Sequence, residues 1–248
     1  MTILTFLDEC EDREGSRSFA LTALLVPAEQ YQAIRTAFYE RLNWLIVPNP
    51  GQVRLAPPEL HGVALLPEES DERKLEACRA VADLVTLHGL AVFRVGYRLD
   101  SPGAALFRGS EVPWLGLCWS GLLSILTRQY GSDLLVPVMD GQGDKITRQL
   151  SPPTQQMAVM RAAGLERSLS VANCQSVGET FYADSRYSVC TQMVDVVSYL
   201  RHANDWARLG LSLTPFKQRL VAVARRLDPA IGYEEIITLQ RGGDAVSR

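Results

Sequence analysis

The sequence predicts an α/β fold, in which a mixed sheet is flanked by helices. Short apolar runs rich in β-branched and aromatic residues, at 2–9, 18–26 and 134–140, are typical of strands. Longer segments between them repeat apolar residues every three or four positions, which is typical of helices packed on a sheet. The longest apolar stretch, 112–126, contains Pro, Ser and Gly and is too short to span a membrane, so it indicates a buried helix.

The remaining elements follow from local start and stop signals. Pro27 and Pro67 are each followed by acidic residues, a pattern that favours the first turn of a helix. Gly89 and Gly131 favour the ends of helices. The predicted order after strand 18–26 is a helix to about 45, a loop at 47–58, a helix from 67 to 88, a strand at 90–99, a helix at 112–130, a strand at 134–140, a helix from 152 to about 163, a strand within 176–183, and helices at 188–209 and 214–227.

The chain is predicted to be one domain over its 248 residues, since no Pro/Gly/Ser-rich linker divides it. We expect the core to cover about 2–205, followed by a helical extension at about 206–230 and a frayed tail.

The composition of the chain limits the classes of function that it could have. The net charge of −3 argues against a strong nonspecific DNA binder, but it leaves room for a nuclease with local basic residues and an acidic site. The five cysteines are odd in number and form no CxxC pair, which favours reduced thiols over a disulfide framework. Only three histidines occur, none near a cysteine, so a zinc site is not expected. No signal peptide or membrane anchor is indicated, and we expect a cytoplasmic protein.

Three acidic residues share an unusual setting. Asp8 and Asp140 each end an apolar strand, and Asp195 lies on an apolar helix face. Taken singly, Asp8 is equally a solvated turn residue, and Asp195 is equally the partner of an arginine. Brought together, three carboxylates repel one another, and a divalent cation is the usual means of holding them. Oxygen-only ligands favour Mg²⁺ or Mn²⁺.

These residues carry a resemblance to a known family. With Asp8-Glu9, Glu59-Leu60-His61, Asp140 at a strand end, and Gln192-Met193-Val194-Asp195 followed by Tyr199, the sequence resembles the domain of unknown function 3800 family. That family is similar to the ribonuclease H-like superfamily. Its pattern opens with Asp-Glu-Ser-Gly, carries Glu-x-His, and ends in a helix with Gln-Leu-Ala-Asp and an aromatic residue. The match covers roughly residues 2–205.

Two departures from the pattern concern the first acid and the late helix. Residues 10–15 read Cys-Glu-Asp-Arg-Glu-Gly where the family has Ser-Gly, which predicts a longer, more acidic loop. Met193-Val194 replaces Leu-Ala and keeps the apolar character.

The resemblance implies a ribonuclease H-like mixed sheet, flanked by helices, with acids converging on one or two Mg²⁺ or Mn²⁺ ions. It assigns Asp8, Asp140 and Asp195 as metal ligands and Glu59 as a fourth catalytic carboxylate. Two such metals can activate water and stabilise the leaving oxygen of a phosphodiester.

The neighbouring polar residues have supporting roles in this hypothesis. Glu9 and Gln192 would orient the ligands or water. His61 would move a proton near neutral pH, or it is simply a loop histidine bonded to backbone. Asp144, in the Gly-rich loop 141–145, is favoured as a turn residue over a ligand.

The predicted function is therefore a metal-dependent nuclease, or a related hydrolase of phosphodiesters, acting on nucleic acid. The alternative is a catalytically weak or inactive binding or regulatory module, in phage defence or a mobile element. A hydrolase of small nucleotides stays open, as does a homo-oligomer. The basic residues between 201 and 226 either follow a nucleic-acid backbone or, as we favour, solvate helix surfaces.

Overall fold

The computed structural model describes residues 1–12, 14–48, 50–51, 53, 58–62, 65–102, 114–140, 181–185 and 187–239. The strands are β1 Thr2–Asp12, β2 Ser18–Pro27, β3 Ala91–Arg98, β4 Leu134–Asp140, β5 Phe181–Ala183 and β6 Ile231–Ile237. The helices are α1 Tyr31–Arg41, α2 Asp71–Leu87, α3 Trp114–Tyr130, α4 Val189–Arg208 and α5 Pro215–Ala224. Short 3-10 turns flank α1 and follow α5.

The six strands form one mixed sheet in the order β5-β4-β1-β2-β3-β6. β1, β2 and β3 form an antiparallel meander, whereas β4 runs parallel to β1, β5 parallel to β4 and β6 parallel to β3. The carboxyl ends of every strand except β2 therefore meet at one edge of the sheet. In α/β proteins, ligands bind outside that edge.

Side-chain alternation along the strands builds a core on each face of the sheet. Phe6 and Leu24 face a core filled by α1, α2, α4 and α5, while Ile3 and Leu7 face a core filled by α3. The α4 helix packs against β1, β2 and β4. It is buried along most of its length, including several polar residues.

Local signals define the helix ends, although the helix predicted from 67 begins at Asp71. Ser70, Ser188 and Thr214 are the N-caps of α2, α4 and α5, and each hydroxyl accepts a hydrogen bond from a backbone N–H three residues later. Gly89, after α2, has φ +59°, which a glycine adopts without a steric penalty. The predicted strand at 90–99 and helix at 112–130 correspond to β3 and α3, whereas the helix predicted to reach 45 ends at Arg41.

Two predictions at the ends of elements are wrong. β1 continues to Asp12, so Asp8 lies inside the strand and not at its end, and residues 10–12 are strand and not part of a long loop. Residues 231–237, predicted to belong to a frayed tail, form β6 and complete the sheet beside β3. Most side chains of β6 are partly exposed, so the apolar pattern that identifies a buried strand is weak there.

A network of buried charges holds β6 to the rest of the fold. Arg94 on β3 and Arg201 on α4 are 0% and 1% exposed, respectively. Arg94 Nη2 lies 2.6 Å from Asp205 Oδ2, and Arg201 Nε donates to Glu234 Oε1 over 2.8 Å. Arg201 Nη1 also donates to Asp228 Oδ1. Because Arg201 was predicted to solvate a helix surface, its burial corrects that prediction.

The β1–β2 hairpin is closed by the carboxylate of Asp12. Trp206 Nε1 and the backbone N–H groups of Gly15 and Ser16 each donate to it over 2.7 Å, and His202 Nε2 lies 3.2 Å away. Burial opposes ionisation, but these hydrogen bonds outweigh it and hold the pKa of Asp12 well below its usual value. The hairpin is thereby tied to the carboxyl-terminal part of α4.

The Asp12→Asn variant is expected to lose about 1–3 kcal/mol of stability at pH 7, because donors that now face a carboxylate oxygen would face an amide N–H₂. A lowered folded-state pKa stabilises the protein above the ordinary aspartate pKa of about 4, and that stabilisation is lost as the pH falls below it. The melting-temperature difference between wild type and variant should therefore shrink between pH 7 and pH 3. Asp83→Asn, at an exposed site on α2, is the control. A pH-independent difference would contradict the assignment.

None of the helices in the described part of the chain combines the length and apolarity that crossing a membrane requires. The described cysteines, Cys10, Cys78, Cys118 and Cys190, are free thiols.

Candidate functional site

Two of the predicted acids lie side by side at the carboxyl edge of the sheet. Leu7 pairs with Met139 in the parallel β1/β4 register, so Asp8 and Asp140 follow as neighbours on adjacent strands. Alternation places both on the face that carries Phe6, which α4 covers. Their proximity depends on the pairing of two strands more than a hundred residues apart.

The third acid comes from α4. Asp195 approaches Asp8 closely enough for its charge to raise the Asp8 pKa. One helical turn later, Ser198 is hydrogen-bonded to the Asp8 carboxylate, and its Oγ accepts from Thr22 Oγ1 over 3.2 Å. The hydrogen bonds from Thr22 to Ser198 and from Ser198 to Asp8 join the sheet to α4. Ser198 was not among the residues predicted from the sequence, although its spacing of three from Asp195 places it on the same helix face.

The segment 58–62 closes over Asp195. His61 Nδ1 lies 2.6 Å from Asp195 Oδ2, and the Gly62 backbone N–H donates to Asp195 Oδ1 over 2.9 Å. A Cβ atom at position 62 would lie 2.6 Å from Asp195 Oδ1 and 2.7 Å from Tyr199 Cβ. Glycine is therefore required at position 62 for the backbone to come this close to α4.

Gln192 connects residues 58–62 to the residues that follow β5. Its Oε1 accepts from the Leu60 N–H over 3.1 Å, and its Nε2 donates to the Ser185 carbonyl over 2.7 Å. The Ser185 N–H in turn donates to Asp140 Oδ1 over 3.2 Å. Gln192 thus spans two backbone segments that carry site residues, which is consistent with the orienting role predicted for it.

The assembled carboxylates oppose one another's ionisation. The pKa of Asp8 is raised well above its usual value, chiefly by burial, then by the charges of Asp195 and Glu9, and less by Asp140. The hydrogen bond from Ser198 only partly offsets this. Glu9 reaches solvent, yet its pKa is also raised, because neighbouring protein atoms reduce its hydration and because Asp140 and Asp195 repel it. The site concentrates negative charge.

His61 is the basic partner of the carboxylates in this cluster. Its hydrogen bond to Asp195 is the main reason that its pKa is raised, and the charges of Asp195, Glu59 and Asp140 add to the effect. The imidazole bonds to a carboxylate, not to backbone as one interpretation of the sequence had it. Because Nδ1 is engaged, Nε2 is the nitrogen left to exchange a proton with a ligand.

The donor set has the chemistry that a hard divalent cation requires. It consists of carboxylate oxygens from Asp8, Asp140 and Asp195. Glu59, whose charge acts on His61, has its Oε1 buried with no hydrogen-bond partner among the described residues. Within those residues, no three Asp, Glu, His or Cys side chains stand together as a preformed metal site. The described residues therefore bring carboxylates near one another without forming a preassembled metal site.

The other predicted residues fall into two groups. Asp144, with its Gly-rich loop and the helix predicted at 152–163, lies outside the described residues. Among the basic residues predicted between 201 and 226, Arg208, Arg219 and Arg226 make ion pairs with Glu234, Glu72 and Asp83, respectively. These arginines are engaged with acids of the same chain.

Fold and site together define an α/β protein with a carboxylate cluster at the carboxyl edge of a six-stranded mixed sheet. No family model matches the chain, and a search of curated proteins also finds no match.

Proposed function

We propose that this chain is a divalent-metal-dependent nuclease, or a related phosphodiester hydrolase, built on a ribonuclease H-like sheet. The observation that carries the proposal is the cluster of mutually repelling carboxylates from β1, β4 and α4. Carboxylates that repel one another destabilise the folded protein, and such unfavourable arrangements are concentrated at functional sites. A mixed sheet with acids on two strands and a late helix is also what the resemblance to the domain of unknown function 3800 family implies.

In this proposal Asp8, Asp140 and Asp195 hold Mg²⁺ or Mn²⁺, with Glu59 as a fourth carboxylate. The bound ion would supply Lewis acidity and lower the pKa of a coordinated water. His61 would transfer a proton through Nε2, while Asp195 fixes its ring through Nδ1. Gln192 would keep the 58–62 segment over the site.

A catalytically weak binding module is the second candidate, and one observation favours it. Both Asp195 oxygens already accept hydrogen bonds or ion pairs within the chain, from Gly62 and His61. If those contacts persist with metal present, Asp195 orients His61 and does not bind the ion.

The proposal predicts that Mg²⁺ or Mn²⁺ raises the melting temperature and supports cleavage of nucleic acid. An ion at a hundred times its dissociation constant stabilises by about 2.7 kcal/mol, which is roughly 5–10 °C for a domain of this size. Asp140→Asn should remove both effects, and Glu76→Gln, at an exposed ion pair on α2, should keep both. Thermal melts in EDTA and in metal, with cleavage assays on single- and double-stranded DNA and RNA, are the measurements. Absence of both effects in wild type would favour the binding module.

A further inference from the structure

Two buried hydroxyl groups lie behind the Asp8 carboxylate, between the sheet and α4. Thr22 on β2 is directly opposite Asp8 in the antiparallel β1/β2 register, so the two side chains point to the same face of the sheet. Thr22 is 0% exposed, and Ser198 on α4 is 1% exposed. Thr22 Oγ1 lies 3.2 Å from Ser198 Oγ, and Ser198 is in turn hydrogen-bonded to Asp8. The three groups therefore form one line of hydrogen bonds between β2, α4 and β1.

The direction of these hydrogen bonds follows from what each group can donate. An ionised carboxylate only accepts hydrogen bonds, and a serine hydroxyl has a single proton to give. Ser198 therefore donates its proton to Asp8 when Asp8 is charged, and its oxygen accepts from Thr22. By occupying that oxygen, Thr22 holds the Ser198 hydroxyl in the rotation in which it donates to Asp8.

The burial of the two hydroxyls does not by itself explain these bonds. Thr5 on β1 is as fully buried as Thr22, yet its Oγ1 has no hydrogen-bond partner among the described residues. The fold therefore tolerates a buried threonine hydroxyl that is unpaired. A serine within a helix commonly bonds to the backbone of the preceding turn, whereas the Ser198 hydroxyl contacts side chains of β1 and β2. The acid that the two hydroxyls reach explains their placement better than helix packing does.

We propose that Ser198 and Thr22 are positioning residues, which hold the Asp8 carboxylate in the orientation that binds a small divalent cation. This inference rests on the proposed function, in which Asp8 is a ligand of the ion. By donating to one Asp8 oxygen, Ser198 would restrict the carboxylate to binding the ion through the other oxygen. Mg²⁺ requires nearly ideal octahedral geometry, whereas Ca²⁺ accepts both oxygens of one carboxylate and a more variable geometry. The two hydroxyls would therefore affect the choice of ion as well as the affinity.

The test measures the binding of Mg²⁺, Mn²⁺ and Ca²⁺ to wild type and variants by isothermal titration calorimetry. Loss of a hydrogen bond that orients a metal ligand weakens metal binding about 10- to 100-fold, so Thr22→Val and Ser198→Ala should each weaken Mg²⁺ and Mn²⁺ binding by that factor. Ca²⁺ binding should weaken less, because Ca²⁺ tolerates a misoriented carboxylate. Thr22→Ser, which keeps the hydroxyl, should bind all three ions as wild type does. Thr5→Val, at the unpaired buried threonine, is the matched control and should also bind as wild type.

A double variant separates positioning through Ser198 from a general effect on packing. Because Thr22 acts on Asp8 through Ser198, Thr22→Val should weaken Mg²⁺ binding no further once Ser198→Ala is present. Two independent losses that multiply in the double variant would overturn the inference. Thermal melts in EDTA check that each variant is folded at the temperature of the titration.

The outcomes distinguish this inference from the proposed function. If wild type binds Mg²⁺ or Mn²⁺ but Thr22→Val and Ser198→Ala bind equally tightly, the positioning role fails and the metal site stands. An equal loss of affinity for all three ions would show that the hydroxyls do not set the geometry at Asp8, and it would also overturn the inference. If wild type binds none of the three ions, and its melting temperature is the same in EDTA and in metal, the proposed function fails and this inference fails with it.

Discussion

Glu234→Gln is expected to lower the free energy of unfolding by about 3–5 kcal/mol, the usual cost of removing one partner from a buried ion pair. Glu234 is 6% exposed and is shared by Arg201, Arg208 and the fully buried Arg94. Glutamine keeps the shape but removes the charge that the three guanidinium groups share, so Arg94 and Arg201 keep only Asp205 and Asp228 as acidic partners. The melting temperature should fall on the order of 10 °C.

The matched control is Glu235→Gln, one residue further along β6. Glu235 accepts a hydrogen bond from Tyr233 at the surface and takes no part in the buried network. Its loss should change the melting temperature by no more than about 2 °C. Added salt should leave the difference between the variants nearly intact, because buried pairs are screened weakly. Equal melting temperatures for the two variants would show that Glu234 is not buried in solution.

Asp8→Asn is expected to abolish metal-dependent cleavage and yet to stabilise the metal-free protein. Removing one charge from the repelling cluster should raise the free energy of unfolding by about 1 kcal/mol, or roughly 2–4 °C in melting temperature. Asparagine retains a side chain that can hydrogen-bond to Ser198. An aspartate with an ordinary structural role would show the opposite sign when replaced.

The pH dependence of that stabilisation follows from the raised pKa of Asp8. The folded state holds its proton more tightly than the unfolded state, so this group destabilises the fold as the pH rises through the ordinary aspartate pKa toward the raised value. The gain from Asp8→Asn should therefore be largest at neutral pH and disappear near pH 3, where Asp8 is protonated in both states. Melts in EDTA across this range measure it. A variant that melts below wild type at pH 7 would contradict the repelling cluster.

The sequence predicts the strands and helices well where burial leaves a pattern. β1, β2 and β4 appear as apolar runs because both faces of the central sheet are covered. The placement of Asp140 at the end of β4 and of Asp195 on a helix face could be predicted from the same pattern, whereas Asp8, predicted to end its strand, lies inside β1. Their mutual approach could not, because it depends on the β1/β4 register and on how α4 crosses the sheet.

The contacts that were not predicted from the sequence are polar, and they join residues that are far apart in the chain. Ser198, His202 and Asp205 continue the face of α4 that carries Asp195, and that spacing was a usable signal. Arg201 was predicted to be exposed because its two acidic partners could not be identified from the sequence. Asp228 lies in the 3-10 turn after α5, and Glu234 lies on β6, whose partly exposed side chains give no pattern of a buried strand. The local sequence does not show whether a charged residue is buried, because its burial depends on an oppositely charged partner that only the tertiary fold brings close.

The position of Glu234 in the chain has a consequence for biosynthesis. Arg94 and Arg201 leave the ribosome before Glu234, the acid that they share, so the buried network cannot be completed until β6 has been synthesised. A chain cut before residue 231 would lack that counter-charge permanently. Chaperones and proteases should distinguish such fragments sharply from the finished protein.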